Sequence, residues 1–403
     1  MIGRSRLLLS LVCLAVLACA GPASACPFCS VQGQTLTQEV TQASMVLAGK
    51  LANARLVRNT DEIQEGTTDL IVDRVIKHHP ILDKAPRNKE GKIVLTLPRY
   101  VPIKEGEQVP FLVFCDVFNG NVDPFRGVPL KMSKLPEYLA GALKVKDEPV
   151  VKRLKFFFDY LDNEDSEISN DAYKEFGYAD YEPIREAARS FPAERIARWL
   201  SPEAKTPGYR YGLYASLLAH AAPEKDRTKY VQLFVSLLAD PDKKASSGMD
   251  GILAGYIMLA PREGLAFARK ILEDPKREFL TRYAALRAMR FFVDNRKDVL
   301  TEDEVVKTIL PLLDQGDIAD LAIEDFRRWK RWDLSGKILG LGKKESHDTP
   351  IVHRCILRYA LSSPKEDCKK YVAEVRKKDE QLVLDAEEIL KLEQQVAPKS
   401  GSK

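Results

Sequence analysis

The sequence predicts a multidomain β + α protein in which a small antiparallel β-barrel precedes a long, all-α array of stacked helix pairs. Three observations carry this. Between residues 43 and 118, short β-branched runs alternate with polar turns, the period-2 signature of strands. From Pro136 almost to the end, apolar residues recur every three or four positions, as in helices with one buried side. Within that stretch a leucine-ended helix, an Asp-rich turn and a second apolar helix recur together, as expected of a repeat architecture. At 403 residues the chain exceeds one ordinary core at roughly 150 residues per domain. The predicted organisation is a leader over 1–25, a β-rich domain over 26–132, a helical array over 133–395 and a disordered tail over 396–403.

The leader opens with Arg4 and Arg6, continues as an apolar run over 7–20 and closes on Ala23-Ser24-Ala25, the three regions of a bacterial secretory signal in order. Cleavage after Ala25 is expected. The run falls short of the roughly 20 apolar residues that a membrane span needs, and no later run resembles it. The mature protein is therefore expected to be periplasmic, secreted or lipid-anchored to the envelope. Cys19 and Cys26 are the two positions where an acyl chain could attach, and neither has leucine at the third position before it. The formal charge of +4 falls to +2 without Arg4 and Arg6, with acids and bases interspersed. That excludes the gathered basic face of a nucleic-acid binder.

Five cysteines remain after the leader: Cys26, Cys29, Cys115, Cys355 and Cys368. Outside the cytoplasm thiols are oxidised, so the odd count requires a free thiol, a lipidated Cys26 or an intermolecular bond.

Strands are predicted at 45–54, 67–76, 92–97 and 109–118, with long loops at 59–66 and 84–91 rich in charge and in Gly, Pro and Asn. Four or five strands spaced in this way match a partly open Greek-key barrel of the oligonucleotide/oligosaccharide-binding type. The runs at 43–51 (ASMVLAGKL), 73–77 (DRVIK) and 105–115 (EGEQVPFLVFC) resemble the netrin-like module of the tissue inhibitors of metalloproteinases. The resemblance implies that Cys26 or Cys29 pairs with Cys115, and that the free amino group and carbonyl of Cys26 chelate the zinc of a target protease. The chain departs from that family in having two residues, Pro27 and Phe28, between its first cysteines, where the family has one.

Cys26-Pro27-Phe28-Cys29 also has the form of a redox dithiol, whose first thiol is activated by a helix N-terminus. Its position argues against this, because no strand precedes it and a barrel follows. As a metal site it would need His78 and His79, and vicinal histidines cannot easily both reach one ion held by Cys26 and Cys29. A structural disulfide involving these cysteines is expected, with His78-His79 a solvated turn and neither metal nor cofactor.

In the helical array, Tyr230, Leu233, Phe234, Leu237 and Leu238 share a face, as do Val305, Ile309, Leu310, Leu312 and Leu313. The Asp-bearing turn recurs at 238–241, 272–275, 313–317 and 346–350, with an earlier copy at 161–165; Leu238, Leu272 and Leu313 are 34 and 41 residues apart. Asp is expected to cap the following helix and Pro to occupy its first turn. The pattern resembles HEAT-like repeats, which implies an elongated, curved solenoid with a concave surface for a protein partner.

The acidic stretch 159–171 fails as a calcium loop, lacking the glycine and glutamate that an EF-hand requires, and is expected to be a capped, solvated turn. Arg327, Arg328, Trp329, Arg331 and Trp332 form the candidate binding cluster, for an anionic polymer or a partner; buried tryptophans with snorkelling arginines explain the same pattern. Cys355 and Cys368 lie on facing stripes, as a disulfide or as two buried thiols. No triad, paired carboxylates, phosphate loop or zinc helix is found, so no enzymatic activity is expected. The leading expectation is an exported scaffold or protein-binding protein. The alternatives are thiol-redox or metal-handling chemistry at Cys26 and Cys29, and a metalloprotease-inhibitor module.

Overall fold

The computed structural model describes residues 26–29, 31–59, 64–104, 106–130, 134–201, 203–240 and 246–396. The predicted leader, the tip of the loop at 60–63, Pro241 of the 238–241 turn and the tail at 397–403 lie outside them. The chain divides into two compact units: Ser30–Ala187, and Ala188–Lys403 together with Met1–Cys29.

The first unit opens with α1 (Leu36–Gln42), then β1 (Met45–Asn59), β2 (Gln64–Lys77), β3 (Val94–Leu97), β4 (Val109–Phe118) and β5 (Asn121–Pro129). All neighbours are antiparallel, in the order β3-β2-β1-β4-β5. The predicted barrel is thus an open sheet, with β3 and β5 at its two edges. β1 lies at the centre, and its near-continuous run of buried residues reflects that place: Met45, Leu47 and Leu51 enter the core with Leu70, Val72, Leu95 and Val113. Val46 and Ala48 are buried on the opposite face. Each buried Val, Leu or Met side chain here contributes roughly 1.5–3 kcal/mol, and the methyl of Ala48 less. β5 was not among the strands expected, because Pro124 and Pro129 conceal it in sequence; an edge strand tolerates them. β1 and β2 run past their apolar stretches because pairs such as Arg55↔Thr67 and Arg58↔Glu65 extend the ladder.

Four helices complete this unit: α2 (Leu135–Val145), α3 (Val150–Phe158), α4 (Ser166–Gly177) and α5 (Tyr181–Ala188). α2 packs on β2, α1 and α3. Asp165 caps α4 by accepting from Glu167 N at 2.9 Å, as expected of the acidic turn. Asp171, expected to be solvated, is instead buried inside α4.

The second unit contains α6 (Ala193–Trp199), α7 (Tyr211–Ala221), α8 (Arg227–Leu238), α9 (Met249–Leu259), α10 (Pro261–Leu272), α11 (Phe279–Asn295), α12 (Glu302–Ile309), α13 (Ala319–Arg328), α14 (Ser335–Leu341), α15 (Pro350–Ser362), α16 (Glu366–Lys378) and α17 (Glu380–Val396). One layer packs α7 on α9, α9 on α11, α13 on α15 and α15 on α17, while a second packs α10 on α12 and α14 on α16. Gly251 of α9 lies where a Cβ would fall 2.5 Å from the Gly212 Cα of α7, so the α7–α9 approach depends on the missing side chain. Among the described residues, no helix is long and apolar enough to cross a membrane.

The Asp-bearing turns differ from expectation in detail. Asp274 accepts from Lys276 N within its own turn, and α11 has no side-chain cap. Asp314 pairs with Lys337 and Lys344. At 346–350 the cap of α15 is Thr349, with Pro350 in the first turn.

Candidate functional site

The first unit holds a buried polar network centred on α4. Its inward stripe reads Ile168, Asp171, Ala172, Glu175 and Phe176, so helical spacing carries two acids into the interior beside apolar neighbours. Asp171 accepts from the backbone N–H of Leu36 at 2.5 Å, the Thr37 hydroxyl at 2.8 Å and the Tyr138 hydroxyl at 2.7 Å. Glu175 accepts from the Thr35 hydroxyl at 2.6 Å and from Arg153 Nη2 at 3.2 Å. α1 begins with a capping box between Thr35 and Gln38, so the two carboxylates grip a helix start that is already ordered. Burial pushes both carboxyls above their ordinary range, and the hydrogen bonds from Tyr138, Thr37 and Thr35 pull them back. The sequence signal for this site is the pair of acids four residues apart on an apolar stripe, which the reading of 159–171 as a solvated turn passed over.

Two cavities adjoin the network. One, of about 220 Å³, is lined by Thr37, Gln38, Thr41, Gln42, Lys146 and Arg153 among others. The second, of about 210 Å³, shares Gln38, Arg153, Phe157 and Glu175 with it. The Arg153–Glu175 pair thus forms part of the wall of both.

In the second unit Cys26 and Cys29 form a disulfide with each other, Cα–Cα 5.4 Å, across a turn closed by Cys29 N donating to Cys26 O at 3.2 Å. The pairing with Cys115 implied by the netrin-like resemblance is therefore replaced by a local bond, and Cys115 is a buried thiol. It sits within the sheet core, where burial pushes it up to about 12. Cys26 and Phe28 are buried, the Phe28 ring lying 4.6 Å from that of Phe291. Cys355 and Cys368 are two buried thiols, which decides the alternative left open between them. His78 faces Asp83 at 3.0 Å, while His79 Nδ1 accepts from Ile81 N at the start of a short 3₁₀ turn. Each imidazole has a local partner.

The candidate binding cluster is largely committed to internal contacts. Arg327 is buried between Glu324 and Glu393, and Arg331 reaches Asp303 and Asp333. Trp329 lies against Phe326 and Trp332 against Tyr359. Arg328 is exposed.

Successive helices of one layer are joined by acid–arginine pairs that sequence reading missed. Asp250 of α9 meets Arg287 of α11 at 2.8 Å, Arg290 of α11 meets Asp325 of α13 at 2.8 Å, and Glu324 of α13 meets Arg358 of α15 at 2.6 Å. Two side chains also serve the carbonyls of earlier leucines. Gln315 Nε2 donates to Leu272 O at 2.7 Å, and His347 Nε2 lies 2.9 Å from Leu313 O. The chain matches no family model, no curated protein and no solved structure.

Proposed function

We propose that this chain is an exported, non-enzymatic binding protein, in which a HEAT-like helical array takes a protein partner and the OB-like, netrin-like sheet unit is an accessory module. Export rests on the residue pattern of the leader. The observation that carries the binding reading is the series of acid–arginine pairs from α9 through α11 and α13 to α15, which ties each helix to its successor as repeat arrays require. On this framework α11 begins with Phe279, Leu280 and Tyr283, the first two exposed and the Phe279 and Tyr283 rings stacked at 6.0 Å. Aromatic anchors on a rigid support are what partner recognition uses.

The thiol-redox and metal-handling reading has less support, since Cys26 is buried and bonded to Cys29 and the next described helix starts only at Leu36. The inhibitor reading is weakened too, because the Cys26 carbonyl already accepts from Cys29.

The test places a photo-crosslinking amino acid at Leu280 and, separately, at Val57 of the sheet unit in the exported protein. Capture of one defined envelope protein at 280 alone, lost in Phe279→Ala with the thermal midpoint unchanged, supports the proposal. An empty result at 280, or the same captured set at both positions, overturns it.

A further inference from the structure

The cavity of about 220 Å³ beside the Asp171–Glu175 network is rich in hydrogen-bond donors that the described residues leave unused. Arg153 spends Nη2 on Glu175, leaving its Nε and Nη1 groups without an acceptor among the described residues. Gln38 and Gln42 each use their amide oxygen as an acceptor, toward Thr35 N and Gln34 Nε2 respectively, which leaves both amide nitrogens without an acceptor among the described residues. Among the described residues Lys146 has only Asp147 as an ionic partner, at 3.6 Å, and the Asp147 side chain is 87% exposed. Lys77 stands at the cavity's edge, its ammonium donating to the carbonyl of the lining residue Thr41 at 2.6 Å. Burial and the neighbouring charge of Lys146 both depress Lys77, with Asp116 opposing them.

Three cations from β2, from the end of α2 and from α3 therefore approach one polar cavity. Two acids line it: Glu175, held by Thr35 and Arg153, and Asp147, whose side chain is turned largely to solvent at 3.6 Å from Lys146; Asp116 nearby is held by Ser44. A dianion relieves the repulsion between two ammonium groups better than a single carboxylate does, and planar guanidinium donors suit phosphoryl oxygens. The volume corresponds to about seven waters at roughly 30 Å³ each, more than a phosphoryl group alone fills.

We propose that this cavity binds a small phosphomonoester of a polyol, the phosphoryl group held by Arg153, Lys146 and Lys77 and the hydroxyls by Gln38 and Gln42. The site is independent of the protein-binding surface proposed above.

Isothermal titration calorimetry on the full mature chain tests it with glycerol 3-phosphate, inorganic phosphate, malate and glycerol. The expected result is binding of glycerol 3-phosphate, weaker binding of inorganic phosphate and none of glycerol. Lys146→Gln and Lys77→Gln should each weaken the ester roughly tenfold, with the ligand-free thermal midpoint of the exposed Lys146→Gln variant unchanged. Absence of heat with either phosphate, or affinity unaltered in Lys146→Gln, overturns the proposal. Inorganic phosphate binding as tightly as its ester removes the polyol assignment, and malate binding with both phosphates silent removes the phosphoryl assignment.

Discussion

The hydroxyl of Tyr138 donates to the carboxylate of Asp171 at 2.7 Å, joining α2 to α4 at a point where Asp171 also accepts from Leu36 and Thr37 of α1. Three helices meet on one buried carboxylate. Asp171→Ala leaves those donors without an acceptor, and the expected loss is about 3 kcal/mol in urea unfolding followed by circular dichroism. Asp171→Asn keeps one acceptor oxygen and should cost less. Equal, small losses in the two variants would remove the clamp role.

Asp325 gives a pH dependence to the helical unit. Burial pushes its carboxyl from 3.8 up to about 6, against the pull of Arg290. A folded-state value above the unfolded one means that the stability contribution is complete below the unfolded value and is lost as pH rises through about 6. Asp250, Asp294 and Asp320 shift in the same direction, also through burial. The Asp325 contribution is expected to lower stability by about 2–3 kcal/mol between about pH 4 and pH 7, against the opposite slope of Asp314, Asp317 and Asp333, whose carboxyls Lys344, Arg282 and Arg331 hold low. Asp325→Asn should remove that contribution from the pH profile of the urea midpoint; an unchanged profile contradicts the assignment.

The cysteines differ in accessibility. Burial pushes the Cys115 and Cys355 thiols up to about 12 and raises Cys368 as well, so the native, unreduced protein should resist iodoacetamide. After mild reduction the first alkyl group is expected on Cys29, which is partly exposed, before the buried Cys26. Peptide mapping by mass spectrometry reads the order directly.

Phe28→Ala empties the contact with Phe291 and should cost about 3 kcal/mol. Calorimetric unfolding of the oxidised protein measures this. A loss below about 1 kcal/mol would make the Cys26–Cys29 turn an ornament on the helical unit.

Gln315→Ala takes the side-chain donor from Leu272 O and removes one of the two acceptors of Arg282 Nη1, which keeps Asp317, with an expected cost of about 2 kcal/mol. Gly316→Ala should be worse, since a Cβ there would lie 1.8 Å from the backbone oxygen of Ser346. If both variants unfold at the wild-type urea concentration, the turn does not fix the succeeding helix.

The amino-acid sequence by itself determined the order of β and α parts, because period 2 and period 3.6 are properties of neighbouring residues. It located β4 residue for residue at 109–118 and the change to helix near Pro136. The cap at Asp165 is likewise a local interaction. Tertiary structure alone decided the rest. β5 exists because β4 accepts a proline-bearing neighbour at the sheet's edge, and Cys26 chose Cys29 over Cys115 because the chain turns back on itself within three residues. Asp171 of α4 reads in sequence as solvent-facing charge, and Glu175 carries no reading of its own; only the arrival of Thr35, Leu36 and Thr37 from more than 130 residues away supplies the donors that let the two be buried. The arginines 34 and 35 residues from Glu324 and Asp325 find them for the same reason. A charge becomes an interior group only where a distant partner satisfies it, and that distance is fixed by packing rather than by sequence spacing.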